Sequence, residues 1–507
     1  MRAFSFCASI LAVVCCLPAQ DLKEFEKKVT EFTLPNGLHF TVVERHNAPV
    51  VSFHTYVNAG SVDDPSGQTG IAHMFEHMAF KGTENIGTRD WPAEKRALEQ
   101  VEEIYDRFQA EHAKGLKADE ARAGALELDL KTAIDRAESF VISNDFTRII
   151  EENGGTGLNA DTSLDNTEYF YSLPSNRLEL WFLLESQRFL HPVFREFYKE
   201  RDVVLEEDRM RVGSSPQGKL LEEFGAIAFE AFPYHNPPGG WPSEVANLRR
   251  GDAQAFFNKY YVPANINVAI VGDVNPAEAK RLAERYFGPM PARPLPPPIE
   301  TKEPAQAGPR TAVVMSPSQP LAVIGYKRPD QYDKDDPVYD VLATILSGGR
   351  TGLMYRTLVE DKKIALDAEA ISTYPDGRYP NLFVFFLVPA LGHTVNENEA
   401  ALNDLLAKFM AKPVDAETLQ RVKTKARAGV IRQMASNNSL AKLITAYYGA
   451  YGDWRKLFTS IDEINGVTAA DVQRVARLCF NPVSRTIAYT ERPRPAAAAV
   501  HAPGAGQ

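Results

Sequence analysis

Apolar positions in this chain first alternate and then fall into helical spacing. Phe32-Thr33-Leu34 runs through the turn residues Pro35-Asn36-Gly37 into an alternating stretch from Leu38 to Glu44, and Val50 to Val57 predicts a further strand. Ser66 to Lys81 reads as a helix. Residues 90–143 are highly charged and helical. Asp90 followed by Pro92 is a helix-start signal. Leu98, Val101, Ile104, Tyr105 and Phe108 recur at helical spacing, Gly115 interrupts, and Leu126, Leu130, Ile134 and Ala137 resume. A helical hairpin with a solvated charged face is expected there.

Pro294, Pro296, Pro297 and Pro298 mark an extended linker over 292–305, which divides the chain into halves at 21–291 and 306–493. The halves end alike. Asp252 to Pro263 and Asp471 to Pro482 have equal spacing, each preceded by a tryptophan (Trp241, Trp454) and followed by an apolar strand, Ile266 to Val271 and Thr486 to Tyr489. Each reads as an Asp-capped helix, a Pro-containing turn and a closing strand. The expected fold class is therefore α+β: two tandem homologous domains, each a mostly antiparallel sheet packed with helices, with the helical hairpin inserted in the first.

The 507 residues are 44% hydrophobic and 24% charged, an ordinary globular composition. A net charge of −10 argues against nucleic acid as a partner. Met1-Arg2, an apolar run to Leu17 and Pro18-Ala19 predict a secretory signal over 1–20, cut near Ala19, and hence an exported, periplasmic protein. Cys15 and Cys16 leave a lipid-anchored alternative open. No other segment is long and apolar enough to span a membrane. Cys479 is the only cysteine beyond that signal, so no internal disulfide is expected, and its apolar neighbours predict burial. The Pro- and Ala-rich segment 494–507 reads as a disordered tail.

The chemistry concentrates at His73-Met74-Phe75-Glu76-His77. Histidines four apart share a helix face, so both imidazoles can reach one metal ion. Glu76 is placed to stay off the metal and handle the proton of a reacting water. This is H-x-x-E-H, the inverted order of a zinc protease motif. A third ligand is required, and the segment from Glu200 to Glu207 is the best source. Glu200 and Glu207 lie two helical turns apart on one face, Glu206 points about 100° away, and Val203 and Val204 are expected to anchor the helix. His54, His112, His191 and His235 lack comparable neighbours and read as structural or solvated.

With these residues in view, the chain resembles the pitrilysin/insulinase superfamily of inverzincin (M16-type) metallopeptidases, in the two-domain branch that includes mitochondrial processing peptidase and its bacterial homologues. The resemblance rests on His73-x-x-Glu76-His77 with Phe80-Lys81-Gly82-Thr83, on Leu158-Asn159-Ala160-x-Thr162-Ser163, on Arg201 to Glu207, and on Tyr261-x-Pro263-x-Asn265 with Val271-Gly272-Asp273. It implies Zn²⁺ held by His73, His77 and Glu207, Glu76 as catalytic base, and Glu200 as a carboxylate orienting a ligand. It also implies an edge strand at Leu158, Asn159 and Ala160 on which peptide substrates lie, and short or unfolded peptides cut in an enclosed chamber. The spacing from His77 to Glu207 exceeds the family's by about the length of the hairpin. The Arg and Tyr that active members carry in their second half align with Val359 and Leu366. The chain is therefore expected to be the zinc subunit of a heterodimer whose homologous partner supplies that pair. A homodimer lacking the pair, and a non-catalytic scaffold subunit of the same fold, are the alternatives.

Overall fold

The structure, a computed structural model, describes residues 22–493. The expected signal at 1–20 and tail at 494–507 lie outside the described residues. Two sheets organise the chain. The first comprises β1 (Val29–Thr33), β2 (His39–Glu44), β3 (Val50–Val57), β4 (Thr156–Thr162), β5 (Thr167–Pro174) and β6 (Ile266–Gly272), in the order β1-β2-β6-β3-β5-β4. The second comprises β7 (Arg310–Met315), β8 (Ala322–Arg328), β9 (Ala365–Tyr374), β10 (Asn381–Pro389) and β11 (Arg485–Glu491), in the order β7-β11-β8-β10-β9.

Without β1, the two orders are the same topology. β2 corresponds to β7, β6 to β11, β3 to β8, β5 to β10 and β4 to β9. Each sheet has one parallel pair, β2 with β6 and β7 with β11, and its other pairs are antiparallel. The closing helices differ in detail from the expectation. Asp252 and Asp471 are not caps but third-position residues, whose carboxylates accept the backbone N–H of Arg249 and Thr468. In the second half Thr468 is the cap.

Each half lends a helix to the other's sheet. Helix Pro216–Ala228 from the first half covers the back of the second sheet, burying Leu220 and Phe224 against Val323, Leu382, Val384 and Ala488. Helix Asn437–Tyr451 from the second half covers the back of the first, burying Leu440 and Ile444 against Val43, Ala269 and Val271. Each such side chain contributes about 1.5–3 kcal/mol on burial, so the two halves are joined through apolar cores. Gly325 on β8 makes the first approach possible, because a Cβ there would lie 2.6 Å from the Phe224 ring.

The second approach buries His54, whose Nδ1 lies 2.8 Å from the Thr445 hydroxyl and whose Nε2 lies 3.4 Å from Glu168. This histidine is structural. Cys479 is buried in the second core. No helix among the described residues is long and apolar enough to cross a membrane.

The expected hairpin is present as helices Trp91–His112 and Glu120–Glu138, joined through Gly115–Lys117. Asp90 caps the first, accepting the Ala93 N–H. Ala97, Leu98, Val101, Ile104 and Tyr105 face the core, and the charged positions are mostly solvated.

Candidate metal centre and active site

The motif helix is Ile71–Met78, shorter than the stretch Ser66 to Lys81. Gly70 precedes it at φ +88°, a conformation that stops helix from extending upstream. The Asp64 carboxylate accepts the N–H groups of Gly70 and Ala72 at 2.7 and 3.0 Å, completing the helix start. Ile71, Ala72, Met74, Phe75 and Met78 are buried, with the Phe75 ring against Phe194, Phe257 and Tyr261. That packing turns His73, Glu76 and His77 toward a cleft of about 540 Å³.

Helix Phe197–Asp208 forms the opposite wall and carries Glu200 and Glu207. Phe197, Tyr198 and Val204 anchor it; Val203, about 100° round the helix from Val204, faces outward and is 47% exposed. The hairpin buttresses this helix. Tyr105 stacks on Tyr198 at 4.4 Å, and the Arg201 guanidinium donates to the Tyr105 hydroxyl and to the Leu248 carbonyl. At its start, buried Arg195 donates to Glu94 of the hairpin and to the carbonyls of Lys81, Thr83 and Ile86 beyond the motif helix.

His73 Nε2 and His77 Nε2 lie 3.3 Å apart, and one Glu207 oxygen lies 3.8 and 3.5 Å from them. Among the described residues this is the only cluster of three or more such groups close enough to hold a metal. Tetrahedral ligands at about 2.0–2.1 Å from zinc are separated by about 3.3 Å, so these atoms fit such an ion with little adjustment.

The surroundings set the orientation and charge of these side chains. His77 Nδ1 donates to Glu200 at 2.9 Å, which leaves Nε2 free to coordinate. Burial would raise the Glu200 carboxyl, but the hydrogen bonds and charges of His77 and Lys81 hold it at about 2. Burial opposes charge on His77, yet its Glu200 hydrogen bond and the nearby carboxylates raise it above its ordinary value. Burial, with the charges of His77 and Arg211, depresses His73 to about 3, keeping it neutral as a ligand must be. Glu76 accepts a hydrogen bond from the Thr162 hydroxyl at 2.5 Å. Its carboxyl is raised, chiefly by burial, with the Asp161 and Glu207 charges adding.

β4 is the sheet edge beside this centre, paired only with β5. Leu158, Asn159 and Ala160 line the cleft along it. The second half brings neither Val359 nor Leu366 to the cleft lining; Val359 packs against its own core, and Leu366 is 60% exposed on β9. The sequence reading missed Arg211, which pairs with the second Glu207 oxygen at 2.6 Å. Its position four residues after Glu207 on one helix face was the available signal. It also missed Lys81, paired with Glu200 at 2.5 Å, and the tie of Thr162 to Glu76.

Fold and centre together define a class: a duplicated α+β protein with an inverted histidine–glutamate motif at the edge of one sheet. The chain belongs to the M16 peptidase family. The model described as Insulinase (Peptidase family M16) matches residues 40–110 and 140–238, which contain His73, Glu76, His77, Glu200 and Glu207. The model described as Peptidase M16 inactive domain matches 247–426. The first match passes over 111–139, which holds the whole of the second hairpin helix.

Among relatives, the zinc protease PqqE of Helicobacter pylori is 28% identical over 90% of this chain and 91% of its own length. The probable mitochondrial-processing peptidase subunit beta of Arabidopsis thaliana is 23% identical over 89% of this chain and 76% of its own. A solved protease from Helicobacter pylori superposes with a TM-score of 0.75 at 25% identity, covering 92% of this chain and 99% of that one. The periplasmic protease PqqL from Escherichia coli shares the fold at a TM-score of 0.69 and 17% identity, with 92% of this chain and 48% of that one covered.

Proposed function

We propose that this chain is a zinc-dependent endopeptidase acting on short or unfolded peptides in a chamber between its halves, with the catalytic chemistry carried by the first half. The observation that carries the reading is the convergence of His73, His77 and Glu207 atoms within 3.3–3.8 Å beside Glu76, at the open edge of β4. His73, His77 and Glu207 would hold the ion. Bound zinc polarises the scissile carbonyl and makes water acidic enough to react near neutral pH.

The chain's own groups do the rest. Glu76, oriented by the Thr162 hydroxyl, takes the proton of the attacking water and passes it to the leaving amine. Its raised affinity for protons suits both transfers. Glu200 fixes the His77 ring, and Lys81 holds Glu200. Arg211 holds the outer oxygen of Glu207 and so orients its inner one. The peptide adds to β4 at Leu158, Asn159 and Ala160 as an extra antiparallel or parallel strand, bound mainly through its main chain.

The chain acts as the zinc subunit of a heterodimer whose homologous partner supplies an Arg/Tyr pair, since Val359 and Leu366 occupy those positions here. It is exported to the periplasm. The likeness in fold to the periplasmic protease PqqL from Escherichia coli and the apolar N-terminal run support that placement.

The test is hydrolysis of an unstructured peptide by the purified zinc-loaded chain, alone and with candidate homologous partners, alongside Glu76→Gln. Weak activity alone that rises with a partner is expected. Full activity alone overturns the heterodimer. A Glu76→Gln protein that retains every function of the parent overturns the peptidase and leaves a scaffold.

A further inference from the structure

A second cavity, of about 360 Å³, opens where the two halves meet. Leu164 lines it from just beyond β4, and Val212 from just beyond the glutamate helix. Leu221 and Gly225 come from helix Pro216–Ala228, Tyr374 from the end of β9, and Pro375 from the β9–β10 connection. Its walls are predominantly apolar.

We propose that this cavity is a side-chain subsite for a large apolar residue of the peptide, and that it sets cleavage preference. The inference rests on the peptidase reading above. The catalytic cleft ends at Thr162 on one wall and Arg211 on the other, and the cavity begins at Ser163 and Val212. The two spaces therefore follow each other along the same chain segments. β4 ends at Thr162, which meets Glu76, and Leu164 follows two residues later in the turn toward β5. A peptide on β4 advances about 3.3 Å per residue, so one that runs on past Thr162 carries its side chains toward this cavity.

The cavity is far larger than a packing defect in a protein interior normally is. Gly225 keeps it open. Alanine is the better helix former, and a Cβ at Gly225 would meet nothing closer than the Tyr234 carbonyl at 3.8 Å. Because Gly225 lines the cavity, a longer side chain there is expected to take up part of the space. Leucine or phenylalanine fits such a space, and rejection of a smaller residue follows from lost apolar contact.

Peptides differing only in Phe, Leu or Ala at each position flanking the cut are compared by kcat/KM for the parent, Gly225→Leu and Leu221→Ala. The parent prefers Phe or Leu over Ala at one position by roughly 10-fold or more. Gly225→Leu shrinks that ratio by about the same factor, whereas Leu221→Ala shifts preference toward the larger residue. Ratios within one preparation are independent of how much protein folds. Hydrolysis with the same ratios in all three proteins overturns this inference alone. No hydrolysis by the parent, with or without a partner, overturns the peptidase reading and this inference with it.

Discussion

The two halves repeat a fold, and the candidate metal centre lies in the first. After β3, helix Ile71–Met78 turns His73, Glu76 and His77 to the cleft. In the corresponding place after β8, helix Asp336–Ser347 buries Val338, Tyr339, Val341, Leu342, Ile345 and Leu346, and ties its polar residues Asp336 and Asp340 to Arg328 and Ser372. Both helices need their apolar faces to cover a sheet, and only the first turns a histidine–glutamate face to a cleft. A duplicated domain can thus lose or gain a metal site through a few polar positions, with the core untouched. The second half is not idle. It covers the back of the first sheet, and its β9–β10 connection grips the residues that follow β4.

The comparison breaks if chemistry does not localise to the first half. The largest effect is expected for Glu207→Ala or His77→Ala, which should abolish stoichiometric zinc as measured by elemental analysis, and activity with it. Glu76→Gln should keep zinc and lose about 10²–10⁴-fold in kcat, because the proton carrier is removed and no ligand is. Zinc retained in Glu207→Ala would show that the ligand set has been drawn wrongly.

A smaller, graded effect tests the groups behind the ligands. Glu200→Gln should weaken zinc affinity by about 10–100-fold in competition with a chelator. Its folded structure should remain, because Glu200 faces the cleft rather than the core. Unchanged affinity would mean that packing alone orients the His77 ring.

How much of this could be read beforehand follows from sequence distance. His73, Glu76 and His77 lie within one helical turn and a half, so spacing alone placed them on one face. Glu207 joins them across the fold, and only the family resemblance pointed to it over Glu200. Arg211 was within reach of the same helical rule. The Thr162 tie to Glu76 spans 86 residues, and no local pattern encodes it. The duplicated topology showed at the ends of the halves, where Asp and Pro recur at equal spacing. The exchange of helices did not show. Leu220 and Phe224 announce a buried face, but nothing in their spacing says which sheet it will meet. The paired valines misled because the buried side of their helix runs through Phe197, Tyr198 and Val204, and Val203 falls outside it.

The smallest effect sharpens the contact between the halves. Asp376 of the second half accepts the N–H groups of Leu164 and Asp165, just beyond β4, at 2.8 and 3.2 Å. Asp165 in turn accepts the Tyr234 hydroxyl and the Arg378 N–H. Burial, with the Asp165 charge adding, pushes Asp376 up to about 7, against about 3.9 for an unfolded aspartate. Between those values the folded chain holds a proton that the unfolded chain has released. The stability from this group is therefore fully present below about pH 4 and is lost as pH rises through about 7. Asp376→Asn keeps an oxygen acceptor and removes the titration. Urea midpoints of the parent should fall relative to the variant as pH rises from 4 to 8, and zinc content should not change. Curves that stay parallel across that range would show that the contact holds no titrating proton.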